Sequence, residues 1–263
     1  MFGNAEAYER FMGRWSALAA PQLVEFAALP PNGRILDVGS GTGSLTFAIA
    51  ERFHEASILG IDLSKELVAY ASDRNAFPGR AGFEIGDAQQ LRFEDAAFDA
   101  TASLLVFSFI PSPAKALQEL RRVTRPGGSV SAAVWDYGEG MRMLRTFWDA
   151  AIAVDPGADE ADEKHMALCR AGELSALWKE SGLVDVREQA IEIVMRFETL
   201  ADYWEPFLLG QGPAGAYVRR LGEYKLGLLR KAIKARLGLS EEDSAFVLPA
   251  RAWVVRGVVP NPR

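Results

Sequence analysis

The chain has 263 residues, 49% hydrophobic and 24% charged, with a formal net charge of −6 at neutral pH. That length suits one α/β domain with insertions, and the composition excludes a disordered chain. The negative balance disfavours nucleic acid as the main partner, because such binding is driven by cations.

In chain order, residues 1–30 read as an N-terminal helical arm whose Phe11, Trp15 and Leu18 pack on a core. Residues 1–10 are too polar for a signal peptide, and no apolar run reaches the roughly 18 residues of a membrane span. The expected location is the cytoplasm. Short β-rich runs then alternate with helical ones: Arg34–Val38, 57–61, 82–85, 98–103 and 129–134 read as strands. A helix follows the first strand at about Ser44–Arg52. Another takes Ser112 as N-cap and Pro113 at its first position, and Arg125-Pro126-Gly127-Gly128 stops it. Strands alternating with helices imply a doubly wound parallel sheet that holds ligands at the carboxyl ends of its strands.

Residues 31–135 thus form a core, and 136–183 a helical insertion carrying Leu144, Phe147, Trp148, Ala151 and Ile152, then Leu174, Leu177 and Trp178. Two long β runs, Val184–Phe197 and 245–259, enclose residues 198–243, of which 217–237 are helical in period. The expected whole is a single α/β domain with an antiparallel end to the sheet and a helical lid inserted before the last strand.

The sharpest local feature is Asp37-Val38-Gly39-Ser40-Gly41-Thr42-Gly43, an apolar strand running into a glycine-rich turn and a helix. Glycines there let ligand atoms approach the backbone. A nicotinamide fingerprint would need a third glycine at position 44, which is Ser44. Asp62 ends the second strand, where a carboxylate can accept hydrogen bonds from both ribose hydroxyls. Asp87 and Ala88 follow the third, where a purine amino group can be gripped.

These features together resemble the class I S-adenosylmethionine-dependent methyltransferases, in particular the group similar to the quinone-biosynthesis C-methyltransferases. The resemblance covers roughly residues 8–134 and also rests on Phe98-Asp99 and Arg125-Pro126-Gly127-Gly128. It implies a seven-stranded, mostly parallel sheet with the last strand antiparallel, and S-adenosylmethionine as cofactor. By that resemblance Gly39, Ser40 and Gly41 line the methionine and ribose portion, Asp62 takes the ribose, Asp87 and Ala88 the adenine, and Ser103 and Leu104 close the site, with Asp37, Gly43 and Leu63 also among the cofactor-binding residues. The segment from Tyr8 to Ser16 looks like the family's arm, which folds over the cofactor, so that Arg14 would pair with the methionine carboxylate and Trp15 joins it among the cofactor-site residues; the plain reading is a helix packing on the core, and both can hold at once.

Methyl transfer from a sulfonium is an in-line displacement, so the protein chiefly aligns its reactants. No catalytic residue is assigned. Asp136, His165 and Glu205 are candidate bases for an acceptor that must lose a proton. Two distant histidines and a lone Cys169 give no metal site. Trp135, Tyr137, Tyr203, Trp204 and Phe207 are candidate walls of a pocket for a small aromatic or apolar acceptor. Arg219, Arg220, Lys225, Arg230, Lys231, Lys234 and Arg236 read as a solvated basic face, with docking to an anionic substrate or membrane surface as the alternative. The expected protein is a monomer or homodimer with no nucleic-acid partner and no integral membrane segment. The competing functions are an NAD(P)-dependent oxidoreductase and a catalytically silent cofactor-binding partner protein.

Overall fold

The structure is a computed structural model that describes residues 4–241 and 243–262. Residues 1–3 of the expected arm and position 242 of the expected lid lie outside the described residues. The strands are β1 (Arg34–Val38), β2 (Ser57–Asp62), β3 (Ala81–Ile85), β4 (Phe98–Leu104), β5 (Thr124–Trp135), β6 (Val184–Phe197) and β7 (Phe246–Val258). Among the described residues they form one seven-stranded sheet in the order β3-β2-β1-β4-β5-β7-β6. Pairing is parallel from β3 to β5, and β7 runs antiparallel to both β5 and β6.

Burial explains why the strands read so differently. In β1 the residues from Ile35 to Val38 are all buried, as a central strand covered on both faces demands. The edge strand β6 instead alternates, with Ile191, Ile193, Met195 and Phe197 buried between exposed neighbours. The strand order reverses at β1, whose neighbours are β2 and β4, so a crevice opens at their carboxyl ends.

Between the strands lie α3 (Ser44–Arg52), α4 (Lys65–Asp73), α5 (Pro113–Val123), α6 (Arg142–Val154) and α7 (Glu173–Glu180), after an arm made of α1 (Ala5–Tyr8), a π-helical turn Glu9–Gly13 and α2 (Arg14–Phe26). In the arm Phe11, Met12, Trp15, Ala19 and Leu23 are buried, whereas Leu18 is 47% exposed and off the expected face. Between β6 and β7 come α8 (Leu200–Leu208), α9 (Gly212–Val218) and α10 (Glu223–Arg236).

Two expectations are corrected. Residues 125–128 do not merely stop α5: they belong to β5 as a bulge between the pairs Phe98–Thr124 and Ala100–Ser129. Gly127 takes a φ of +75° and donates its N–H to the Val259 carbonyl, and a Cβ on Gly128 would stand 2.4 Å from the Asp99 carbonyl oxygen. The helical period over 217–237 is likewise interrupted, because α9 ends at Val218 and the extended Gly222 starts α10 afresh. Among the described residues no helix is long and apolar enough to cross a membrane.

Candidate functional site

After β1 the chain turns through Gly39, Gly41 and Gly43, all in the left-handed region. At Gly39 the fit is close: φ is +76°, and an added Cβ would lie 2.7 Å from Val106. Gly41 has φ +54° but no atom within 4 Å of an added Cβ, so its side faces open space. The N–H groups of Gly39 and Ser40 both donate to the Ile61 carbonyl, at 2.8 and 2.9 Å, tying this turn to the end of β2.

The Asp62 carboxylate completes that tie. Oδ2 accepts the Gly41 N–H at 3.0 Å and Oδ1 accepts the Ser64 N–H at 2.8 Å. One lone pair on each oxygen remains available. Burial raises its pKa, and the two backbone donors oppose that shift. Beyond β3, Asp87 Oδ1 accepts the Gln89 N–H at 2.8 Å, which fixes the side chain after the strand end.

Two hollows meet at Gly39, Asp62, Val106 and Phe109. The outer one adds Leu63, Asp87 and Ala88 and measures about 540 Å³ with its open mouth included. The inner one, about 640 Å³ with its mouth included, adds Gly41 and Leu104 and is walled by Tyr8, Phe11, Phe109, Trp135, Tyr137 and Glu163.

Of the residues expected from sequence, the structure brings Gly39, Gly41, Asp62, Leu63, Asp87, Ala88, Leu104, Trp135 and Tyr137 onto these walls. The others stand elsewhere. Arg14 pairs with Asp202 at 2.7 Å and lies 4.3 Å over the Trp15 ring, while Trp15 is buried against Phe197. Asp37 sits under the turn, fully buried, accepting from Thr46 Oγ1 at 2.7 Å; burial pushes its pKa up to about 7. Ser103 Oγ donates to the Val38 carbonyl at 2.8 Å, Ser40 is buried, and Gly43 faces Phe47 and Phe83. Tyr203 donates its hydroxyl to the Met143 carbonyl, Phe207 stacks on Phe147, and Trp204 packs beside Phe207, so these three are core.

The candidate bases do not line the cavity either. Asp136 is bound by Arg251 at 2.6 Å, Glu205 pairs with Arg10, and His165 is half-exposed beside Asp159. Among the described residues no His, Cys, Asp and Glu group is arranged to hold a metal.

Sequence reasoning missed Tyr8, Phe11 and Glu163 as wall residues. Tyr8 and Phe11 had a usable signal, since they lie about two turns and one turn before Trp15 on a segment leading to the strand ends. Glu163 had none, being one carboxylate in an acidic stretch that reads as solvated loop.

The methyltransferase domain family matches residues 36–132 of this chain. The malonyl-[acyl-carrier protein] O-methyltransferase of Geobacter sulfurreducens is 32% identical over 177 residues, which cover 64% of this chain and 63% of that protein. The ubiquinone/menaquinone biosynthesis C-methyltransferase of Geotalea daltonii is 35% identical over 133 residues, covering 49% and 52% respectively. A solved structure of Haemonchus contortus phosphoethanolamine N-methyltransferase 2 with phosphomonomethylethanolamine and S-adenosylhomocysteine shares the fold, with a TM-score of 0.59 at 19% identity over 98% of this chain and 57% of that one. With its glycine turn and strand-end carboxylates joined in one crevice, the chain carries a methyltransferase domain over residues 36–132 and is similar there to S-adenosylmethionine-dependent methyltransferases.

Proposed function

We propose that this methyltransferase moves the methyl group onto a small, largely apolar and aromatic acceptor seated in the inner hollow, by in-line displacement. The observation that carries this reading is the inner hollow itself: it begins at Gly39, Gly41 and Asp62 and continues into a wall of Tyr8, Phe11, Phe109, Trp135 and Tyr137. Aromatic walls of this kind suit a mostly apolar small molecule. A net charge of −6 supports the same choice over a nucleic acid.

The residues at the strand ends fit the cofactor. Asp62 retains one acceptor position on each carboxylate oxygen, which matches the two hydroxyls of a ribose. Gly41 leaves open space where a side chain would stand, and the outer hollow offers Asp87 beside the small Ala88 for a purine edge. The bound cofactor supplies an activated methyl and its own leaving group. The chain's part is to hold the two reactants in line and exclude water, and such positioning contributes about 7–11 kcal/mol in favourable cases.

The test is calorimetric titration with S-adenosylmethionine, S-adenosylhomocysteine and NADH, followed by a screen of aromatic and apolar acceptors. Selective binding of both adenosyl ligands and methylation of such an acceptor are expected. Methylation confined to charged, strongly polar acceptors would overturn the acceptor assignment.

A further inference from the structure

Glu163 is only 3% exposed, yet it reaches the inner hollow. Trp148 Nε1 donates to its Oε2, and the Ala214 N–H also favours the ionised form. Among the described residues it has no ion-pair partner. Arg145, the buried cation nearby in sequence, is committed to Asp162 at 2.6 and 2.8 Å, to Asp149 at 3.1 Å and to the Tyr137 carbonyl.

The short turn Glu163–His165 is held from several sides. Asp162 takes Arg145 and caps the Lys164 N–H at 2.9 Å, Lys164 reaches back to Asp159, and Lys225 holds Asp155 at 2.7 Å. Glu163 is therefore fixed inward. Two N–H donors and no paired cation among the described residues leave the carboxyl's charge largely uncompensated. Leaving a carboxyl uncompensated in an apolar wall costs several kcal/mol in general, and such groups concentrate at functional sites.

Building on the acceptor cavity proposed above, we infer that Glu163 accepts the proton from a weakly acidic hydroxyl on an aromatic or apolar acceptor, a phenol or an enol. The oxygen keeps the electron pair of its O–H bond and uses it to bond the methyl carbon; the carbon–sulfur pair returns to sulfur, and the proton resides on Glu163. One carboxylate and one sulfonium become a neutral acid and a neutral thioether, so the step removes two opposite charges from a largely apolar cavity. An ammonium acceptor would instead bring a second cation beside the sulfonium, a repulsion that low polarity strengthens. Burial raises the Glu163 pKa to about 8, which suits proton exchange near neutrality. The groups facing it are Asp162 with Arg145 on the adjoining elements, Tyr137 after β5, and Tyr8 and Asp62 across the hollow.

The experiment starts with S-adenosylmethionine binding, whose absence would sink the methyltransferase reading separately. The protein loaded with S-adenosylhomocysteine is then titrated with 2-naphthol, 2-methoxynaphthalene and 2-naphthylamine, using naphthol fluorescence to follow ionisation. The wild type is expected to prefer 2-naphthol by about tenfold, the worth of one hydrogen bond to a charged group. That preference should grow as pH rises through about 8 and should nearly vanish in Glu163→Gln. Equal or absent binding of the three probes to the wild type, or a naphthol preference that survives in the variant, would overturn the proposal. The wild-type selectivity and its pH dependence decide the matter even if the variant does not fold.

Discussion

Gly41 donates its backbone N–H to Asp62 Oδ2 at 3.0 Å, so the glycine turn after β1 and the carboxylate at the end of β2 are one unit. Asp62→Ala is expected to weaken S-adenosylmethionine binding by about tenfold to a hundredfold, since hydrogen bonds to charged groups contribute roughly 1.5–3 kcal/mol each. Calorimetry measures this, and circular dichroism should show the fold retained. Unchanged affinity would remove Asp62 from the site.

The two glycines at the turn should separate strain from obstruction. Gly39→Ala pushes a methyl into Val106 at a left-handed φ and is expected to destabilise the fold by about 1–3 kcal/mol. Gly41→Ala meets no atom within 4 Å, so its stability loss should be smaller while its loss of cofactor affinity is pronounced. Urea unfolding and calorimetry on the pair would read the two effects independently.

Arg14 offers a direct discrimination between its two readings. Its contact with Asp202 at 2.7 Å anchors the arm to α8. Arg14→Ala should therefore lower affinity for S-adenosylmethionine and for 5′-methylthioadenosine, which lacks the amino-acid carboxylate, by the same factor. A loss confined to S-adenosylmethionine would restore the carboxylate pairing implied by the family resemblance. A double-mutant cycle with Asp202→Ala is expected to show coupling of up to about 1 kcal/mol, as both side chains are partly exposed.

Asp37 makes stability depend on pH in an uncommon sense. Its folded-state pKa, pushed up to about 7 by burial, lies above the unfolded value, so the folded chain binds more protons between about pH 4 and 7. Stability should then fall as pH rises through that window, and Glu163 extends the same slope toward about 8. Asp37→Asn keeps an acceptor for Thr46 and is expected to flatten the lower part of the slope. Denaturant unfolding at pH 5 and pH 8 on both proteins checks the sign.

Local patterning made the sheet legible. Ile35-Leu36-Asp37-Val38 is apolar enough to announce a central strand, and the glycines after it, with Asp62 and Asp87 at later strand ends, mark one edge of the sheet. What local pattern does not carry is which side chain meets which across the chain. Arg14 finds Asp202, 188 positions away, and that long-range pair takes it out of the cavity. Tyr203 and Phe207 have the composition of a pocket wall, but Met143 and Phe147 on α6 claim them for the core. Glu163 is aimed by the ion pair of its neighbour Asp162, an influence that its own position in an acidic stretch conceals.

The inner hollow is composed from separate stretches of chain. Gly39, Gly41, Asp62 and Leu104 fall within the family-matched residues 36–132, whereas Tyr8, Phe11, Tyr137, Leu144, Glu163 and Pro213 all fall outside them. Conservation pressure and innovation can therefore act on different stretches. On the proposed reading, a lineage could rewrite the arm, the loop after β5, the turn at Glu163 and the start of α9 to take up a new acceptor, leaving the cofactor grip inherited, and a protein engineer could graft those same stretches between relatives for the same purpose.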